Sequence, residues 1–97
     1  MADIRIHRYS VDDPADLEEF LARRAELITA IRADHPALVE ARLIRLEDGT
    51  LVDTWRWRSA DEMRVALEAA ASFPEARAAM SLTRTASADA GEIVDER

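Results

Sequence analysis

The side chains in this sequence best suited to hold an aromatic ring or move a proton are His7 and Tyr9 near its start and Asp53, Trp55 and Trp57 at its middle. Asp53, Trp55 and Trp57 alternate with Thr54 and Arg56, so on an extended strand they share one face with Leu51. A carboxylate on a face that its apolar neighbours mark as buried must be paired, hydrated or shifted in pKa. Asp53 is therefore a candidate proton acceptor. The competing reading is a structural ion pair, for which Arg5, Arg42 and Arg56 are available. An imidazole titrates near neutrality, which makes His7 a candidate base. Tyr9 lies on the same strand face as His7 and can donate a hydrogen bond. Each has a plainer reading beside it: the tryptophans as core packing, His7 and Tyr9 as structural or surface residues. His35 precedes Pro36 in a loop and reads as solvated.

Composition removes many other chemistries. There is no cysteine, hence no disulfide, thiolate nucleophile or cysteine-ligated metal. The two histidines are isolated, so no metal-ligand spacing is present, and two glycines cannot build a phosphate-cradling loop or a nucleophile elbow. No metal and no nucleotide cofactor is expected. The formal net charge is -7 with acidic residues spread along the chain, and all 13 basic residues are arginine. Nucleic acid and membrane surfaces are disfavoured as partners by that field. The start lacks the apolar run of a signal peptide, and no stretch approaches the roughly 20 apolar residues of a membrane span, so the expected location is cytoplasmic.

The elements that must position these residues follow from periodicity. Ile4 to Tyr9 alternates, with Ile4 and Ile6 on one face and Arg5, His7 and Tyr9 on the other, which predicts a strand. Asp13-Pro14 starts a helix, with Asp13 as cap and Pro14 in the first turn. Leu17, Phe20, Leu21, Leu27, Ile28 and Ile31 form its apolar stripe, and His35-Pro36 ends it. A second strand places Val39, Ala41 and Leu43 on one face. Asp48-Gly49 then turns the chain into a third strand from Leu51 to Arg58. Ser59-Ala60-Asp61-Glu62 is a capping box for a second helix burying Met63, Ala66, Leu67 and Ala70. Phe73-Pro74 breaks that helix, and a short one resumes from Pro74 to about Met80. Glu92 to Asp95 is the expected closing strand. The order β-α-β-β-α-β predicts a single α+β domain over residues 1–97, a ferredoxin-like sandwich. Its helix-free sheet face would be covered by a second copy of the chain, making a homodimer.

With that layout the chain resembles the antibiotic biosynthesis monooxygenase domains, a family of dimeric α+β barrels. The likeness is carried by the element order over residues 3–96, by Trp57-Arg58-Ser59 entering the second helix, by the Asp48-Gly49 hairpin, and by Phe73-Pro74 after an alanine-rich helix. The resemblance implies a cavity in each subunit between sheet and helices. Family members bind polycyclic phenols, quinones or haem there, and some insert oxygen without metal or flavin, the electron-rich substrate anion reacting with oxygen directly. For this chain it implies a cofactor-independent monooxygenase acting on a small aromatic, phenol- or quinol-like compound. Trp55 and Trp57 would be the walls, Tyr9 a hydrogen-bond donor, and His7 or Asp53 would handle the proton. Trp57 stands where the family commonly carries a tryptophan on its third strand, and His7 where haem-degrading members place a polar pocket residue. Those members use an asparagine, a tryptophan and a histidine, the histidine lying in the second helical region. This chain has no asparagine, and Ala60 to Met80 contains no histidine, which disfavours haem degradation. The alternatives are a non-catalytic dimer that binds a small ligand or serves assembly, and a cyclase or isomerase on the same scaffold.

Overall fold

The alternation of Ile4 to Tyr9 becomes the first strand of a four-stranded antiparallel sheet, in a computed structural model describing residues 2–97 apart from the side chain of Thr85. The elements run β1 (Asp3–Ser10), α1 (Pro14–Asp34), β2 (Leu38–Arg45), β3 (Leu51–Trp57), α2 (Ala60–Ala70), α3 (Pro74–Met80) and β4 (Arg84–Glu92). The sheet order is β2-β3-β1-β4, the α+β ferredoxin-like arrangement. Each β-α-β passage leaves one strand position between its two strands. Thus β1 lies at the centre between β3 and β4, and the helices cover one face.

Local chemistry sets the boundaries. The Asp13 carboxylate accepts from the Ala15 N–H at 2.9 Å, and Pro14 occupies the first turn of α1. Ser59 Oγ accepts from the Glu62 N–H at 3.2 Å to start α2. The other half of the expected capping box differs: the Glu62 carboxylate accepts from the Arg58 guanidinium at 3.0 and 3.2 Å. In the β2–β3 hairpin Gly49 has a φ of 92°, the left-handed conformation that a residue without Cβ adopts freely. The Thr50 N–H donates to Asp48 at 2.9 Å, fixing the same turn.

Three expectations are corrected. Val39 does not share the inner face with Ala41 and Leu43. Leu38 pairs with Trp57 and Glu40 with Arg56, so Val39 is the extra residue of a bulge and is 47% exposed while Leu38 is buried. Leu21 likewise faces outward from α1, whose buried residues are Phe20, Leu27 and Ile31. The closing strand is Arg84–Glu92 rather than Glu92 to Asp95. Its alternation is between alanine and small polar residues, without the apolar contrast that marks a strand. Pairing along the whole length of β1 defines it instead. Ile93 adds one N–H bond to the Ala2 carbonyl, and Val94 beyond it is exposed.

The core lies between the sheet and the helices. It contains Trp57, Phe20, Ile31, Leu38, Leu51, Met63 and Ala66, with Tyr9 and Trp55 at its edge toward the site described next. Trp57 and Phe20 are fully buried. No helix among the described residues is long and apolar enough to cross a membrane.

Candidate functional site

Antiparallel pairing of β1 with β3 sets Arg5 opposite Trp55, His7 opposite Asp53 and Tyr9 opposite Leu51. The period of two then carries Arg5, His7, Tyr9, Asp53 and Trp55 to the helix-covered face. They form the floor of a cavity of about 230 Å³. Its roof comes from Leu27 and Ile31 of α1, Leu67 and Ala70 of α2, and Ala71, Ala76 and Met80 at and beyond the α2–α3 break. Proline cannot continue a helix interior, so the Phe73-Pro74 interruption separates α2 from α3, and α3 packs against α1. On the β4 side, Ala88 stands opposite His7 and Ala90 opposite Arg5, so only methyl groups flank the polar end of the floor.

Asp53 is tied by three side-chain hydrogen bonds. It is buried, and its two oxygens accept a bidentate pair from Arg24 of α1, Nε to Oδ2 at 2.9 Å and Nη2 to Oδ1 at 2.8 Å. The Tyr9 hydroxyl donates to Oδ2 as well. The carboxylate thus forms an ion pair, with an arginine from the facing helix and not with Arg5, Arg42 or Arg56. Burial pushes the Tyr9 phenol well above its ordinary value, and the charge of Asp53 and the hydrogen bond to it add to the rise. Tyr9 stays protonated and holds its ring edge-on to Phe20, centroids 5.3 Å apart.

His7 is the free base of this floor. Its pKa is lowered from 6.5, first by burial, next by the positive charge of Arg5, with Asp53 opposing. The imidazole is therefore neutral at pH 7. It meets the Trp55 indole edge-on, centroids 6.1 Å apart. Trp55 lines the cavity; Trp57 does not. Trp57 shares the face of Trp55 but pairs with Asp3 and Leu38 at the far end of the sheet, where the core closes around it.

Arg24 and Arg5 belong to the site beside the residues that strand alternation marks. Arg24 follows Phe20 by four residues and precedes Leu27 by three, which places a charge inside the apolar stripe of α1 and was the signal for it. Arg5 lines the cavity beside His7 without pairing with Asp53. His35 caps the C-terminus of α1 and borders a separate surface groove with Arg58, Glu62 and Val65, away from the other candidates. Among the described residues no three histidine or carboxylate side chains are grouped to hold a metal ion.

Comparison with known proteins gives no matching family model and no curated relative. Solved structures do match. SnoaB, a cofactor-independent oxygenase from Streptomyces nogalater, superposes with a TM-score of 0.74 at 26% identity, over 98% of this chain and 95% of that one. The monooxygenase from the ActVA-Orf6 gene of Streptomyces coelicolor, solved with nanaomycin D, gives 0.70 at 21% identity over 98% and 93%. A candidate antibiotic biosynthesis monooxygenase from Caulobacter crescentus gives 0.69 at 18% identity over 97% and 91%. This chain has the fold of the antibiotic biosynthesis monooxygenase family.

Proposed function

We propose that this domain is a cofactor-independent monooxygenase of a small, electron-rich aromatic compound, working as a homodimer. The observation that carries the reading is the cavity itself: an apolar roof over a floor where an indole and a neutral imidazole stand side by side. The similarity to SnoaB and to the ActVA-Orf6 protein supports it. A volume of about 230 Å³ is below the roughly 300–1,000 Å³ of drug-sized sites and suits two or three fused rings.

In this reading Trp55, Leu27 and Ile31 hold the ring and exclude water, and His7 accepts the proton that leaves the substrate. The resulting carbanion or phenolate is the reductant. It gives electrons to dioxygen, one oxygen atom ends in a new ring carbonyl, and the other leaves with two hydrogens as water. For anthrone the balance is R₂CH₂ + O₂ → R₂C=O + H₂O, with no further reductant. Asp53 takes no proton in this scheme; with Arg24 it fixes Tyr9 and the end of the floor.

The test is oxygen uptake with anthrone. One O₂ consumed per quinone formed is expected, with kcat falling about 100-fold or more in His7→Ala and KM rising in Trp55→Ala. Anthrone that binds without oxygen uptake above the protein-free rate would overturn the oxygenase reading in favour of a non-catalytic binding domain.

A further inference from the structure

Arg5 enters the cavity without a counter-ion. None of the ion pairs among the described residues includes it, and its Nε is buried with no acceptor. Directly opposite on β3, the Trp55 Nε1 is also buried and without a partner. Facing residues of an antiparallel pair hold their Cβ atoms about 4.5–5.5 Å apart, and both residues line the cavity. Asp53, the carboxylate lining the cavity, does not serve them: its oxygens accept from Arg24 and Tyr9. Ala90, the β4 neighbour of Arg5, offers no side-chain acceptor either. Buried donors are nearly always satisfied, so the Nε of half-buried Arg5 and the Nε1 of Trp55 are two open hydrogen-bonding positions in the cavity wall. A chain of net charge -7 repels anions in general, so one unpaired guanidinium in its cavity acts locally and selectively.

We propose that Arg5 is a specificity-determining residue and that the cavity takes a fused-ring aromatic ligand bearing an anionic oxygen. The guanidinium binds that oxygen, the Trp55 indole lies beside it, and the rings lie under Leu27, Ile31 and Ala70. The inference rests on the cavity being the ring-binding site, as in the proposed function, and adds the charge of what enters it.

The experiment compares 1-hydroxy-2-naphthoate with its methyl ester by titration calorimetry against the wild type, Arg5→Gln and Arg5→Lys. The wild type is expected to bind the acid about tenfold or more tightly than the ester. Arg5→Gln should bring the acid down to the ester's affinity and leave the ester unchanged, while Arg5→Lys keeps a preference for the acid. Far-UV circular dichroism verifies the fold of each variant, and a preference that weakens with added salt in the wild type gives an independent reading. Equal affinity of acid and ester for the wild type, or a preference that survives Arg5→Gln, overturns the role of Arg5 and leaves the oxygenase reading standing. Binding of neither compound to the wild type overturns both.

Discussion

His7 is kept in its proton-accepting form by its surroundings. Burial and the charge of Arg5 lower its pKa below 6.5, so the acid limb of kcat/KM with anthrone should lie below pH 6.5. Arg5→Gln removes the second of those causes and should move the limb up toward 6.5; a limb that moves down instead would rule out His7 as the base. The same shift bears on stability. The folded pKa is the lower one, so the unfolded chain binds more protons below pH 6.5. The contribution of neutral His7 is complete above that pH and declines as pH falls toward the folded value. Asp53 gives a different prediction. Asp53→Asn leaves Arg24, only 13% exposed, without its counter-charge, and should cost about 3–5 kcal/mol in urea denaturation. A loss below about 1 kcal/mol would mean that the pair does not hold the floor. His7, Tyr9, Asp53 and Trp55 were legible as one face because a strand alternates strictly. Trp57 was assigned to the wall because alternation gives the face and not the depth along it. Arg24 went unread because an arginine on a helix is usually solvated, and only its place within the Phe20-Leu27-Ile31 stripe distinguishes it.

At the scale of elements, α1, the hairpin, α2 and α3 were readable from caps, breaks and the 3.6 period. The two edge strands were less so, for separate reasons. In β2 the residue types suit Leu38 and Val39 equally to the core, and only the bulge against β3 decides which one is buried. Leu38→Ala should therefore cost about 2–4 kcal/mol, whereas Val39→Ser should stay within about 0.5 kcal/mol. Comparable losses in thermal or urea unfolding would place the register elsewhere. In β4 the alanines carry no apolar contrast, so local sequence is silent and the strand exists through its pairing with β1. That same smallness has a use: bulky side chains opposite Arg5 and His7 would compete with a ligand for the polar end of the cavity.

For the whole molecule, the central question is what covers the other face of the sheet. Successive residues of β1 point to opposite sides, so His7 faces the cavity while Ile4 and Ile6 face away from every helix. Val52 lies on that outer face of β3, and Ile44 of β2 is exposed there too. A domain of 97 residues has little core to spare, and pairing two such faces about a two-fold axis buries both. Ile6 is the sharpest place to test this, because its neighbours are Thr54 on β3 and Asp89 on β4, and it sits at the middle of the strand that runs through the centre of the sheet. Ile6→Glu adds a negative charge beside Asp89 on each copy and brings like charges together across the axis, while leaving the cavity side of β1 untouched. The wild type should sediment at twice the 10.9 kDa chain mass, and Ile6→Glu at the chain mass at micromolar concentration. The variant should still discriminate 1-hydroxy-2-naphthoate from its ester, since Arg5 and Trp55 lie on the opposite face. A wild type that sediments as a monomer would remove the dimer. A monomeric Ile6→Glu that has lost the ligand preference would mean instead that the second copy completes the cavity.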